Sequence, residues 1–212
     1  TWNNPVCWNE DGRVDKERPW DRKKRIIMAV DEESGETLWK KSAVVAPVTL
    51  CAGKDIVVFH NGESVVCLDR KTGKKRWASP PVKMRLPLPT YYAPILVLAD
   101  DKVLFAGGNR TMTCLNAADG KPLWTAPHYR AGHRSPEDLL VIDGLAWTGR
   151  MAGRNADNRW TGYSIETGEV VREFNPDIKS YWFHHRCHRS KATTQFLMPS
   201  RTGIEYVDWR TE

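Results

Sequence analysis

Short runs of alternating apolar and polar residues recur along the chain, each closed by a turn signal. "DIVVFH" (Asp55 to His60) and "ESVVCLD" (Glu63 to Asp69) are rich in β-branched side chains and flank Asn61-Gly62, which predicts a hairpin. "APVTLCAG" (Ala46 to Gly53) predicts a short strand before them, and a strand carrying Trp77 follows. The same order returns as "APILVLAD", "KVLFAGG", "TMTCLN" and "KPLW", and again as "EDLLVIDG", "LAWTG", "RWTGYS" and "EVVREF". No segment reads as a helix, so the predicted fold class is all-β.

The turns repeat more closely than the strands. "DEESGETLW" (Asp31 to Trp39), "DRKTGKKRW" (Asp69 to Trp77), "NAADGKPLW" (Asn116 to Trp124) and "SIETGEVVR" (Ser164 to Arg172) share one plan, and "DWRTE" from Asp208 begins another copy. An Asp, Asn or Ser is followed four residues later by Gly, and four further on stands a large or long side chain. The glycines lie 38 (Gly35 to Gly73), 47 (Gly73 to Gly120) and 48 (Gly120 to Gly168) residues apart. The Asp69 side chain can bond the backbone ahead of it, and Gly73 supplies the positive φ of a tight turn. Four short antiparallel strands per unit of about 40 to 48 residues define a β-propeller blade. A β-solenoid would have shorter repeats and no Trp once per unit. Trp39, Trp77 and Trp124 are therefore expected at equivalent places near the outer rim, largely buried.

"AVDEESGETLW", "CLDRKTGKKRW" and "LNAADGKPLW" resemble the Ala-x-Asp-x-x-Thr-Gly-x-x-x-Trp repeat of the pyrroloquinoline-quinone-like β-propellers, the quinoprotein alcohol dehydrogenase-like superfamily. The run "FHHRCHRSKATTQFLMPSRTGIEYVDW" is similar to uncharacterised propeller-repeat proteins of planctomycetes. The resemblance covers about residues 26 to 212. It implies that each Trp docks across neighbouring blades and that the protein works outside the cytoplasm, in the periplasm or secreted. Quinone-dependent dehydrogenases of this fold carry a vicinal Cys-Cys pair against the cofactor. This chain has no such pair and no matching calcium ligands, so neither a quinone nor another cofactor is expected.

Residues 1–25 read as an N-terminal extension or inter-blade insertion. Blades follow at about 44–79, 91–127 and 136–174, with partial blades at 26–40 and 182–212. The chain starts at Thr1 without an initiator methionine or apolar leader, as a processed or excised piece would. Members of the superfamily commonly have seven or eight blades, so the chain reads as an arc completed by missing sequence or by a partner chain. An open arc leaves sheet faces and edges exposed.

Composition narrows the partners. With 41% hydrophobic and 27% charged residues the chain is globular material, not a disordered one. No apolar run reaches the roughly 20 residues of a membrane span. The net charge of +6 is spread among interspersed acids and bases, apart from "DRKKR" and "DRKTGKKR". That pattern disfavours nucleic acid and suits a smaller polyanion. The five cysteines include no CxxC pair. Cys67 and Cys114 sit at equivalent repeat positions as small buried side chains, too divergent to bridge. Cys187 has no assigned place.

The candidate chemistry lies between each outer strand and the next inner one. Three such stretches, "KMRLPLPTYY", "HYRAGHRSPED" and "DIKSYWFHHRCHRSK", are rich in aromatic, Arg and His side chains and share one topological slot. Equivalent loops of adjacent blades stand side by side, so their residues are expected around one channel mouth, with His133, Arg134, His184, Arg186 and His188 clustered there.

Within "HHRCHR", His184, Cys187 and His188 offer zinc-ligand atoms, but the neighbouring cations oppose a metal, which stays a lesser alternative. "HHRCH" misses the C-x-x-C-H haem signature by one residue. An anion site fits better. Arg130, Arg134, Arg186, Arg189 and Lys191 supply charge, with guanidinium forks suited to carboxylates and sulfates. Tyr91, Tyr92, Tyr129, Tyr181 and Trp182 can stack on sugar rings. An acidic glycan uses both chemistries.

One alternative is an enzyme. His184 or His188 would act as base, Tyr181 as acid, and Arg clamps on a uronate would acidify its α-proton for β-elimination. Glu137 and Asp138 point to opposite faces as neighbours in a strand, which disfavours a glycosidase dyad. The other alternative is structural: His, Arg and Tyr satisfying one another and cementing blade to blade.

Overall fold

The structure is a computed structural model and describes residues 20–86, 88, 94–128, 139–150, 159–175, 191–198 and 207–211. Its strands are β1 (Lys24–Val30), β2 (Thr37–Val44), β3 (Cys51–Ala52), β4 (Ile56–His60), β5 (Val65–Asp69), β6 (Lys75–Ala78), β7 (Ile95–Ala99), β8 (Lys102–Ala106), β9 (Thr111–Asn116) and β10 (Pro122–Pro127). They continue as β11 (Leu139–Ile142), β12 (Leu145–Arg150), β13 (Arg159–Ser164), β14 (Val170–Phe174), β15 (Lys191–Ala192), β16 (Phe196–Met198) and β17 (Val207–Asp208). No helix occurs among the described residues.

Each group of consecutive strands forms its own antiparallel sheet: β1-β2, β3-β4-β5-β6, β7-β8-β9-β10, β11-β12-β13-β14 and β15-β16-β17. The inner strands β3, β7 and β11 lie against one another in series, as radial blades require. "APVTLCAG" forms strand only at Cys51 and Ala52; the Ala46–Thr49 segment turns instead, with Thr49 Oγ1 donating to the Ala46 carbonyl at 2.7 Å. The hairpin at Asn61-Gly62 is a wider loop than two residues. Asn61 Oδ1 accepts from the Glu63 and Ser64 amides at 2.9 and 2.8 Å, and β5 begins only at Val65.

Strand alternation divides each sheet's side chains between two seams. Val57, Phe59, Val66 and Leu68 face β1-β2, where Ile27 and Trp39 meet them. Val58, Val65 and Cys67 face the other way, onto Val103, Phe105 and Leu115 of the next blade. Leu104, Met112 and Cys114 then pack on Ala146 and Tyr163. Trp147, Trp160 and Phe174 close on Leu197, Val207 and Trp209. The core is thus a succession of flat interfaces between blades.

Every seam but the last carries the same staple at its outer edge. The Trp39 indole N–H donates to the Arg70 carbonyl at 2.8 Å, Trp77 to Ala117 at 3.0 Å, and Trp124 to Ile165 at 2.9 Å. Each accepting residue follows the Asp, Asn or Ser that opens the next blade's turn. Each ring also lies flat on that turn's glycine: a Cβ at Gly73, Gly120 or Gly168 would stand 2.6, 2.4 or 2.6 Å from the indole. These glycines have φ of 67°, 75° and 75°, so both conformation and space demand glycine. Trp77 is buried as expected. Trp39 and Trp124 are only half-buried, packed at the edges of their seams. In the fourth unit Arg172 stands at this register, paired with Gly162 as Trp77 is with Cys67.

The turns themselves follow one chemistry. Asp69 Oδ1 accepts from the Lys71 and Thr72 amides and the Thr72 hydroxyl, and the Gly73 amide donates to the Asp69 carbonyl at 2.8 Å. Arg76 adds a 2.6 Å ion pair, and this hydrogen bond, followed by those from Thr72, holds the Asp69 carboxyl down at about 2. Cys67 and Cys114 are free thiols buried in successive seams, and burial pushes them up to about 11 and about 12.

Candidate functional site

The antiparallel strands give every blade two ends. One bears the Asp-to-Gly turns and the first hairpin turns, near residues 53–55, 100–101 and 143–144. The other bears the second hairpin loops and the crossing segments between blades. Tyr91, Tyr92, Arg130, His133, Arg134, Tyr181, His184, Arg186, His188 and Arg189 lie outside the described residues, as do Tyr129, Trp182 and Cys187. Lys191 opens β15, its backbone paired with Met198. The structure describes how the segments that carry these residues leave and re-enter the blades.

The crossing segment after β6 is strapped across the loop end of two blades. The Val82 amide donates to the Glu63 carbonyl at 2.8 Å, and the Arg85 amide donates to Gly107 at 2.8 Å in the next blade. Gly107 permits this approach, since a Cβ there would stand 2.7 Å from the Lys83 carbonyl. The segment after β10 starts the same way, the His128 amide donating to the Arg110 carbonyl at 3.0 Å. Crossing segments of successive blades therefore arise at one end of the sheets.

Two histidines lie at this end among the described residues, and of these the sequence reading singles out only the stretch that His128 opens. His60 is fully buried, stacked on Phe105 at 4.2 Å and 4°. Its Nδ1 accepts from the Gly62 amide at 3.0 Å, so Nε2 carries the hydrogen donated to the Val82 carbonyl at 2.9 Å. Burial lowers its pKa to about 4, opposed by the Val82 bond, and the ring is neutral at pH 7. It anchors the crossing segment instead of facing a ligand. His128 is also buried. The only signal for His60 was its place at the end of an apolar run, directly before a turn.

Charged groups stand at both ends. Arg22, Lys83, Arg85 and Arg110 lie at the loop end, with Glu63 beside them and Asp21 paired to Arg25 at 2.9 Å. The turn end carries Asp31, Asp55, Asp100, Asp101, Asp143 and Glu166 among its acids and Lys54, Arg70, Lys71, Lys74 and Lys121 among its bases. There Lys102, buried at 6% exposure, bridges blades by pairing with Asp101 at 2.7 Å and Glu166 at 3.0 Å, and its pKa is raised by those bonds. An open groove of about 420 Å³ lies at the turn end between Lys54, Asp55, Arg76 and Asp100. Its charges balance and Arg76 is held by Asp69, so it lacks the one-signed field that a charged ligand needs.

Among the described residues, no group of three His, Cys, Asp or Glu side chains is placed to hold a metal. The described cysteines stand apart, with Cys67 and Cys114 sealed in different seams, which does not fit a quinone seated on adjacent cysteines. No helix among these residues is long and apolar enough to cross a membrane.

Radial four-stranded blades stapled by Trp on Gly define a β-propeller of the pyrroloquinoline-quinone-like repeat type. The family described as outer membrane protein assembly factor BamB matches residues 23–90 and 92–182, and the chain belongs to that family. Among solved structures, BamB from Moraxella catarrhalis is similar at 15% identity and a TM-score of 0.61, over 87% of this chain and 56% of that one. A europium-containing methanol dehydrogenase is similar at 14% identity and a TM-score of 0.58, over 88% and 46%. The computationally designed Ika4 protein is similar at 15% and 0.51, over 84% and 96%. At such identities the likeness shows the fold alone. The chain spans about half the length of the first two structures. No curated protein matches it in sequence.

Proposed function

We propose that the chain is a non-catalytic binding arc of a larger propeller, which presents its crossing-loop end to an anionic ligand such as an acidic glycan. The observation that carries this is the grouping of the cations Arg22, Lys83, Arg85 and Arg110 at the loop end, where the crossing segments arise. Arg130, Arg134, Arg186, Arg189 and Lys191 add to that positive end, and Tyr91, Tyr92 and His133 supply stacking and hydrogen-bonding groups. A concave mouth with one sign of charge concentrates anions and steers them in. The rest of the ring, in the same or another chain, completes the mouth. The family's description names an outer-membrane assembly factor, and on that support we place the protein outside the cytoplasm.

The test is titration with a polyuronate and with a neutral polysaccharide. Polyuronate binding should weaken as salt rises, and Arg186→Ala should cost about 1.5–3 kcal/mol, the range for hydrogen bonds to charged groups. Equal binding of the neutral polymer, or none of either, overturns the proposal. Ultraviolet absorbance of an unsaturated product, lost in His184→Ala, His188→Ala or Tyr181→Phe, would instead favour the lyase.

A scaffolding role is the second reading. It is favoured by His60, which spends its hydrogen bonds on holding loops together at the end where a ligand would sit.

A further inference from the structure

Strand register makes His60 an exception among the blades. Val58, Leu104 and Trp147 are equivalent: each pairs with Cys67, Cys114 or Gly162, which pairs in turn with Trp77, Trp124 or Arg172. Two residues on, His60 therefore aligns with Ala106 and Gly149, neither of which can titrate. Both ring nitrogens of His60 are committed. Nδ1 accepts from the Gly62 amide at 3.0 Å, and Nε2 donates to the Val82 carbonyl at 2.9 Å. Val82 is gripped from both sides, since its own amide donates to the Glu63 carbonyl at 2.8 Å. Further along, the Arg85 amide donates to the Gly107 carbonyl, and the Leu88 carbonyl accepts from the Trp20 amide at 3.4 Å. Val82, Met84 and Leu88 sink their side chains into the seam, while Lys83 is exposed and Arg85 half-buried. The path of this one segment thus sets where two cations of the loop end stand.

We propose that His60 is a proton-controlled latch that positions the crossing segment after β6, and with it Lys83 and Arg85, for an anionic ligand at the loop end. The neutral ring serves both partners because one nitrogen accepts while the other donates. Protonation at Nδ1 turns that acceptor into a donor, and two N–H groups then face each other inside the seam. The imidazolium also lacks a counter-charge among the described residues. Thr49, Trp20 and Phe105 close around this place, and Lys102 stands at the far end of the Phe105 strand. The charged groups at this end are Glu63, exposed on the adjoining loop, and the cations Arg22, Lys83 and Arg85. An unpaired buried charge is relieved by letting the ring out to water, which frees the Val82 carbonyl and slackens the segment. With the ring's pKa at about 4, release belongs to acid and the segment is held at pH 7. The latch stands on the geometry of His60; its effect on affinity rests on the binding role proposed above.

The isotope-labelled chain, free of ligand, is titrated from neutral pH into acid while NMR follows the His60 ring nitrogens and the amide protection factors. At pH 7 the ring should show a bare Nδ1 and a protonated Nε2. Protection at Gly62, Val82 and Arg85 should fall with the same midpoint as the ring, while Val58, Cys67 and Leu104 in the strands stay protected. His60→Gln keeps a donor for Val82 and does not titrate, so its segment should stay protected throughout. Protection at Val82 that persists below the ring's midpoint overturns the proposal. So does simultaneous loss at Val58 and Cys67, which would be unfolding of the whole blade. Dextran sulfate, which keeps its charge in acid, reads the consequence for binding. One pH unit below the midpoint about a tenth of the rings remain neutral, so its affinity should fall about tenfold. In His60→Gln it should not fall. An affinity that rises in acid, as added positive charge alone would give, refutes the coupling. Absence of binding at pH 7 refutes the binding role, and the amide titration still decides the latch.

Discussion

The two ends of each blade obey different rules. At the turn end, the units are nearly superimposable: Asp31, Asp69, Asn116 and Ser164 open the same turn, and Trp39, Trp77 and Trp124 lie on the next glycine. At the loop end the described contacts follow no such plan. His60 and Gly107 both hold the segment after β6, and the crossing segments differ in length and sequence. Repetition within a chain therefore reports a packing problem solved the same way each time, while divergence in one topological slot leaves room for a site. The same logic separates Gly73 from Gly35, which share a conformation and differ only in what covers them.

Breaking the turn end should cost the most stability. Trp77→Ala removes a buried indole and is expected to cost about 3–5 kcal/mol in urea unfolding, with Trp39→Ala costing less because its ring is half-buried. Gly120→Ala and Gly35→Ala share a left-handed backbone penalty of roughly 1–2 kcal/mol. Gly120→Ala should cost clearly more, since its methyl enters the Trp77 ring while that of Gly35 enters open space. Equal losses would refute the staple.

Acid should act next. His60 has a folded pKa of about 4 against 6.5 unfolded, so the unfolded chain binds the extra proton between those values. Its contribution is complete above pH 6.5 and lost as pH falls towards 4, a swing of roughly 3 kcal/mol. His60→Gln, which keeps a donor near Val82, should flatten that limb of the stability profile. Asp69 runs lower: its contribution is present above the usual carboxylate range near 4 and lost as pH falls through about 2. Asp69→Asn should lower the melting temperature above about pH 4 and converge with the parent as pH falls through about 2.

The smallest effect on stability belongs to the loop end. Lys83→Ala and Arg110→Ala should shift unfolding by no more than about 0.5 kcal/mol, as surface changes do. Both should weaken polyuronate binding and flatten its salt dependence.

What the sequence made legible follows from this division. The turn plan and the strand alternation located the strands from β4 to β14 to within about three residues, because Asp-to-Gly spacing and β-branched runs are local signals. The half-exposure of Trp39 and Trp124 was not legible, since it depends on the neighbouring blade. Nor was the burial of His60, whose stacking on Phe105 crosses a seam between residues 60 and 105. The candidate residues from Tyr91 to Arg189 lie outside the described residues, and their convergence is part of the proposal.

Hydrogen exchange with and without polyuronate tests the division of labour most directly. The account predicts new protection in the crossing segments, residues 79–94, 128–138 and 175–191. No change is expected at the turns, 69–73, 116–120 and 164–168. Protection centred on the turns, or spread evenly over both ends, would contradict it.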